Sequence, residues 1–214
     1  YYDFADRPEF LHKVMQRITD SNLSAINQIN EINAHNNICN TCHCSYIYTD
    51  ELLPYSGECK NFKTNGGWGM SMAQLMTSVS PEITAEFEVP YINKLAEHYA
   101  MMYYGCCERL DDRLDIIKKI KNIKKISCSP WSNKQIFAQN IGKDIIMSNK
   151  PTPVQLATSS IDEEIIKNDL VETYKIAKSE GANLEFILKD ISTVKYDISR
   201  LKKWEEIAMK VVMS

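Results

Sequence analysis

The sequence MMYYGCCERLDD, residues 101–112, predicts a buried strand that runs into a loop and then a helix. A glycine follows the apolar run Met101–Tyr104, and Cys106, Cys107 and Glu108 come directly after it, where the strand should end. In parallel α/β proteins, ligands bind at the carboxyl ends of the strands. We therefore expect these side chains to lie at a functional site. The alternative is that both cysteines are small buried apolar residues.

Strand and helix patterns alternate along the chain, which is typical of βα units with a parallel sheet. Residues 46–70 contain Pro54 and several glycines and predict a long loop of the kind that often serves as a lid or binding loop. We expect strands at 37–42, 101–104, 123–129, 143–148 and 183–188, and helices at 7–33, 80–98 with a break at Pro90, 110–121, 133–141, 160–180 and 200–213. The pattern of strands and helices is compatible with two folds. One is an open doubly wound sheet, and the other is the C-terminal portion of a (β/α)8 barrel.

Composition narrows the class of protein. With 214 residues, of which 44% are hydrophobic and 25% charged, we expect residues 1–214 to form a single domain. The net charge of -3 and pI near 5.9 predict no general attraction to nucleic acid or to anionic membranes. We find no apolar run long enough to span a bilayer and no signal-peptide pattern, so we expect a cytoplasmic location. Seven cysteines, an odd number, then predict reduced thiols.

A second cluster of donors, Cys42, His43 and Cys44, follows the first predicted strand. Thiolate and imidazole are the ligands that zinc prefers, and three protein ligands with one open position suit a Lewis acid. We expect His43 and Cys44 to be ligands together with Cys106 and Cys107. The alternative for His43 is a loop histidine packed under a lid.

Other side chains near predicted strand tips are candidates for binding substrate or for catalysis. Trp68 and Trp131 would wall a flat substrate, unless they plug the core. Lys150 would hold a carboxylate or phosphate, unless it is simply solvated. Lys189 and Asp190 form either a catalytic pair or a structural charge pair. Our candidate residues are Trp68, Gln74, Trp131 and Lys150 for substrate binding and Glu108, Lys189 and Asp190 for catalysis.

Several runs, taken in order, resemble the C-terminal part of the uroporphyrinogen decarboxylase superfamily. They are WGMSMAQLMTSVSPEITAEFEVPYINKLAEHY, MMYYGCCERLDDRLDIIKKI, ISCSPW, IGKDIIMSNKPTP and LEFILKDIST. The branch that they resemble includes corrinoid-dependent methyltransferases. The resemblance implies a TIM (β/α)8 barrel, of which this chain would supply about five βα units, roughly strands four to eight. This chain departs from the family pattern in two places. It lacks the His-x-Cys zinc pair at YYGCC, and it lacks the further cysteine that the family carries near the last strand.

The resemblance implies a methyltransferase-like enzyme that moves a methyl group between a corrinoid on a partner protein and a thiol acceptor at a zinc site. The alternatives are a uroporphyrinogen decarboxylase-type enzyme and a non-catalytic domain that binds a tetrapyrrole or small molecule. Arginine, which a substrate rich in carboxylates needs, is scarce in this chain. A sheet of five strands with open edges also predicts self-association or a missing N-terminal half.

Overall fold

The computed structural model describes residues 1–35, 40–42, 45–47, 49, 51–52 and 63–214. The helices are α1 (Asp3–Asp6), α2 (Pro8–Glu31), α3 (Pro81–Phe87), α4 (Val89–Ala96), α5 (Leu114–Ile117), α6 (Lys134–Ile141), α7 (Val154–Ala157), α8 (Glu163–Glu180) and α9 (Ser199–Val212). The strands are β1 (Asn40–Cys42), β2 (Ser45–Ile47), β3 (Trp68–Ser71), β4 (Met101–Tyr104), β5 (Ile123–Cys128), β6 (Ile146–Asn149) and β7 (Asn183–Phe186). Short 3-10 helices span Thr64–Gly66 and Gln74–Ser78.

The main sheet has five strands, all parallel, in the order β3-β4-β5-β6-β7. The order in the sheet follows the order in the chain, without the reversal that defines a doubly wound sheet. Because the strands are parallel, their carboxyl ends lie along one edge. The loops that carry Cys107, Trp131, Lys150 and Lys189 all leave from that edge.

The first predicted strand is observed at Asn40–Cys42, but it does not join the parallel sheet as predicted. Asn40–Cys42 pairs antiparallel with Ser45–Ile47 in a separate two-stranded sheet, and residues 37–39 lie outside the described residues. Trp68–Ser71, in the predicted loop, is instead the first strand of the parallel sheet. Gly69 interrupts the strand pattern in the sequence, but a glycine is needed at this position. A Cβ at Gly69 would lie 2.5 Å from both Met102 Sδ and Tyr99 Cδ2.

Helix boundaries follow their caps. Pro90 breaks the helix as predicted, because α3 ends at Phe87 and α4 begins at Val89 with the proline in its first turn. Gly181, in the left-handed conformation, ends α8 as predicted. The predicted helix at 110–121 is shorter in the structure and spans only Leu114–Ile117.

The two faces of the sheet carry different side chains. Tyr104, Ile126 and Met147 point towards the helices and join the largest apolar cluster. Tyr103, Lys125 and other side chains at alternate positions point to the opposite face, which we call the inner face. This alternation places polar groups on a buried surface opposite the helices.

Buried charges on the inner face are satisfied by hydrogen bonds. Lys125 Nζ donates to Glu185 Oε2 at 2.9 Å and to the carbonyl oxygen of Tyr46, in β2, at 2.8 Å. The ammonium also lies 5.8 Å from the centre of the Trp68 ring. A buried lysine is tolerated only with such partners. The β1–β2 hairpin therefore lies against this face.

Candidate functional site

Two neighbouring groups of residues meet at the carboxyl edge of the sheet, one after β4 and one after β7. Lys189 Nζ donates a hydrogen bond to Cys107 Sγ at 2.9 Å. Cys107 Sγ also lies 3.5 Å from Asp190 Oδ2, and Lys189 and Asp190 form an ion pair with a short contact. The structure thus brings Cys107, Lys189 and Asp190 together. We call these three residues the strand-tip triad.

Lys189 and Asp190 are held in unusual surroundings. Asp190 has a φ of 56°, in the left-handed region that residues other than glycine seldom adopt. The Lys189 side chain is 10% exposed. Burial lowers the pKa of Lys189, but hydrogen bonds to Asp190 and Cys107 outweigh it, so that its pKa is raised overall. The triad therefore presents an ammonium group at neutral pH.

The two adjacent cysteines have different chemical states. Cys106 is fully buried and disulfide-bonded, whereas Cys107 is half-buried and carries a free thiol. The prediction that the cysteines are all reduced is therefore wrong at Cys106. The preceding Gly105 has a φ of 100°, and this turn sets the two cysteines at the end of β4.

Glu108 is buried and is held by two backbone groups. Its Oε2 accepts from the amide of Cys106 at 2.8 Å, and its Oε1 accepts from the amide of Ala73 at 3.3 Å. These bonds tie the loop after β4 to the loop after β3. Glu108 thus holds the shape of the site, and its predicted catalytic role stays a prediction.

A small pocket of about 260 Å³ opens beside the triad. It is lined by Gln74, Thr77, Cys107, Glu108, Arg109 and Trp131. Trp131 is 76% exposed, so its ring forms an outer wall and does not plug the core. Two predicted substrate-binding residues, Gln74 and Trp131, therefore share a pocket with Cys107.

The other predicted residues lie elsewhere. Trp68 and Lys150 are buried, and Lys150 Nζ lies 5.6 Å from the centre of the Tyr103 ring on the inner face and donates to Ser148 Oγ. Neither Trp68 nor Lys150 lines the pocket beside Cys107. His43 and Cys44 lie outside the described residues.

Cys106 and Cys107 are the two predicted zinc ligands that the structure describes. Lys189 Nζ donates to Cys107 Sγ at 2.9 Å, and Cys106 is disulfide-bonded and so has no thiolate to offer. Among residues whose positions the structure describes, no group of three or more His, Cys, Asp or Glu side chains could hold a metal ion. Zinc at this edge stays a prediction that depends on His43 and Cys44.

One buried acidic residue near the site has no signal in the sequence. Glu88 lies between α3 and α4, and its Oε1 accepts a hydrogen bond from the Tyr104 hydroxyl at 2.6 Å. Desolvation raises the pKa of Glu88 to about 7, against the opposing effect of the Tyr104 hydrogen bond, and the charge of Glu108 raises it further. Its glutamate type and helical position predict an exposed side chain. Only the packing of Tyr104 and the neighbouring helices buries it.

Within the described residues, no helix has the length and apolar content needed to cross a membrane. No known family model and no curated protein sequence matches this chain.

Proposed function

We propose that this chain is a methyltransferase-like enzyme of the uroporphyrinogen decarboxylase superfamily. In this proposal its parallel strands are about five βα units of a (β/α)8 barrel. A barrel also has strands in chain order and helices outside, and the observed sheet is compatible with part of one. The enzyme would transfer a methyl group between a corrinoid on a partner protein and a small thiol acceptor.

The proposal rests on one contact, the 2.9 Å hydrogen bond from Lys189 Nζ to Cys107 Sγ. It indicates that a sulfur atom fits against a buried ammonium at the edge where such proteins bind ligands. A thiol becomes a good nucleophile only as the thiolate, and a neighbouring cation favours that form. Lys189 would stabilise the acceptor thiolate in this way, while Asp190 orients the ammonium.

The pocket beside Cys107 supplies a place for the acceptor. Trp131 offers an apolar wall, and Gln74 offers a polar group across from it. A volume of about 260 Å³ suits a small molecule. The bound corrinoid would supply the methyl group, and it would have to be presented from outside this pocket by the partner protein.

Decarboxylation of an acidic tetrapyrrole is less well supported. Arg109, in the loop after β4, makes an ion pair with Asp111 through two hydrogen bonds, one from Nε and one from Nη2. Arg113 and Arg200 are buried and donate to backbone carbonyls. These arginines are therefore already engaged, whereas a substrate with many carboxylates needs several available bidentate donors.

The test is an assay of the purified chain with methylcobalamin and a small thiol such as mercaptoethanol. Loss of the methylcobalamin absorbance together with formation of the methyl thioether would support the methyltransferase. Zinc per chain is measured in parallel, before and after chelation. Release of carbon dioxide from uroporphyrinogen without methyl transfer would favour the decarboxylase. Tetrapyrrole binding without either reaction would favour a binding domain.

A further inference from the structure

A second cavity, distinct from the pocket beside Cys107, lies between α2 and the helices that follow β3. Its volume is about 580 Å³, which is within the range of small-molecule sites. The 3-10 helix Gln74–Ser78 contributes to both spaces, because Met76 lines this cavity and Thr77 lines the pocket beside Cys107. The two spaces therefore take different side chains from one short helix.

The walls of this cavity are mostly apolar. The α2 helix supplies one wall, and the 3-10 helix, α3 and α4 supply the others. We call this space the helical cavity, and the apolar side chains that line it include Met15, Ile18, Met76, Phe87, Ile92 and Leu95. Ile18 is exposed, so the cavity is open to solvent on the side of α2. The apolar body of a ligand would be removed from water here.

One carboxyl group interrupts this apolar surface. Glu88 lines the cavity just before α4 and is only 3% exposed. Among the lining residues that the structure describes, it is the one with an acidic or basic side chain. Interactions between charges are strong where water is excluded. Glu88 therefore gives the helical cavity a preference for positive charge.

The two oxygens of this carboxyl group have different surroundings. Glu88 Oε1 accepts from the Tyr104 hydroxyl at 2.6 Å, whereas Oε2 has no hydrogen-bond partner within the described part of the chain. A buried polar atom without a partner is costly, and a hydrogen bond from a ligand would offset that cost. Arg113, whose positive charge acts on Glu88, directs its hydrogen bonds to Thr84, Asp112 and backbone carbonyls.

We propose that the helical cavity binds a small primary amine with an apolar body. The ammonium group donates a hydrogen bond to Glu88 Oε2, and the apolar body packs against Met15, Phe87 and Ile92. An ammonium group supplies both the hydrogen-bond donor and the positive charge that this carboxylate needs. Neutral or anionic molecules of the same shape bind more weakly, because they leave the buried carboxylate without an opposite charge. The site does not depend on methyl transfer.

Binding of an amine should depend on pH. Burial raises the pKa of Glu88 to about 7, the Tyr104 hydrogen bond opposes this rise, the charge of Glu108 adds to it and the charge of Arg113 opposes it. An ammonium group favours the ionised form of Glu88. Its affinity should therefore rise roughly tenfold from pH 6 to pH 8 and then level off, with a proton released on binding.

His12, on α2, is another titratable side chain beside the cavity. Its ring stacks on Phe87 with the ring centres 4.4 Å apart, and its nitrogens lie 2.8 Å from the Tyr91 hydroxyl and 3.3 Å from Glu86 Oε1. Histidine is a common source of pH dependence near neutrality. The substitution Glu88→Gln separates the two groups, because it removes the carboxylate and leaves His12 in place.

Calorimetric titration with three indole compounds tests the preference for positive charge. Tryptamine carries the ammonium group, and tryptophol and indole-3-acetate carry a neutral hydroxyl group and a carboxylate on a closely similar body. We expect tryptamine to bind the wild-type protein at pH 8 roughly tenfold more tightly than tryptophol, and indole-3-acetate to bind more weakly than either. Titrations at pH 7 in two buffers of different ionisation enthalpy should show the release of roughly half a proton per tryptamine.

The matched variants are Glu88→Gln and Glu9→Gln, the latter at an exposed position on α2 outside the described lining of the cavity. Glu88→Gln should weaken tryptamine binding at pH 8 by roughly tenfold and abolish its pH dependence and proton release, while tryptophol binding stays unchanged. Glu9→Gln should behave as the wild type. The proposal would be overturned by a folded wild type that binds no tryptamine, by equal affinities for tryptamine and tryptophol, or by unchanged tryptamine binding in Glu88→Gln.

Discussion

The Lys189 ammonium lies 2.9 Å from the Cys107 sulfur, although the two residues are 82 positions apart in sequence. A cationic hydrogen-bond donor raises the reactivity of a thiol. We therefore predict that Lys189→Met lowers the rate of Cys107 alkylation by iodoacetamide at pH 7 by roughly tenfold. Peptide mass spectrometry of residues 95–109 would give the rate.

Two controls test whether the change in alkylation rate is specific to Lys189 and Cys107. Lys210→Met removes an exposed lysine on α9 and should leave the rate unchanged. Cys128 should stay unlabelled in every native sample, because burial raises its pKa to about 12. Equal labelling of Cys107 in the wild type and Lys189→Met would mean that the contact has no chemical effect.

Glu88 should make stability depend on pH. Burial raises its pKa to about 7 in the folded state, from an ordinary value of 4.5. Between these values the folded state holds a proton that the unfolded state has lost, so stability falls as pH rises from 4.5 to 7 and then levels off. The predicted loss is about 3 kcal/mol.

The variant Glu88→Gln should remove this slope while keeping an acceptor for Tyr104. We expect it to be more stable than the wild type at pH 8, with the difference shrinking below pH 5, as measured by urea unfolding at each pH. Glu172→Gln, at an exposed position on α8, serves as the control. Parallel stability curves for the wild type and Glu88→Gln would show that Glu88 does not titrate in this range.

Arg113 should be a structural residue despite its position near the site. Its Nη1 donates to the carbonyl of Met76 at 2.6 Å and to Thr84 Oγ1 at 2.9 Å, and the side chain is 4% exposed. Arg113→Met leaves these buried acceptors unsatisfied and should destabilise the protein by roughly 2 to 4 kcal/mol in denaturant unfolding. Arg113→Lys should restore little, because one ammonium cannot span the same acceptors.

The control for Arg113 is Arg17→Met, at an exposed position on α2, where we expect a change of about 0.5 kcal/mol or less. If Arg113→Met were as stable as this control, the hydrogen bonds of Arg113 would contribute nothing measurable to the fold.

Trp131 and Cys107 line one pocket, so a quencher on one should act on the other. A nitroxide label on Cys107 quenches fluorescence only at short range. We predict that it removes the emission of exposed Trp131 and spares the buried Trp68 and Trp204. In Trp131→Phe the label should cause almost no further loss. Strong quenching that persists in that variant would place the label near a different tryptophan.

Many of the helices and strands could be predicted from the sequence, because their capping residues and apolar runs agree with the observed packing. Asn133 caps α6 through its side chain and Gly142 follows the last residue of that helix, as their residue types indicate. The apolar run Met101–Tyr104 forms a fully buried strand. Local sequence patterns do not predict a strand that depends on distant contacts, as at Trp68–Ser71, where Gly69 makes room for Tyr99 and Met102.

The candidate site was likewise predicted only in part from the sequence. Cys107 and Lys189 were candidates from their places at strand tips, but their mutual contact depends on the positions of β4 and β7 across the sheet. Lys150 also follows a strand, yet its side chain lies on the inner face with Ser148, two residues earlier. The position of a residue in the sequence therefore predicts that it lies at the carboxyl edge of the sheet. The direction of its side chain decides which other residues share a pocket with it.

We propose that Lys189 and Cys107 form the centre of a methyl-transferring site. The most direct measurement is the initial rate of methyl thioether formation from methylcobalamin and a small thiol by the wild type, Lys189→Met and Lys210→Met, with folding checked by circular dichroism. We predict a measurable wild-type rate, a loss of roughly a hundredfold in Lys189→Met and no change in Lys210→Met. Equal rates in all three folded proteins, or no methyl transfer by the wild type with either reduced or oxidised cysteines, would contradict it.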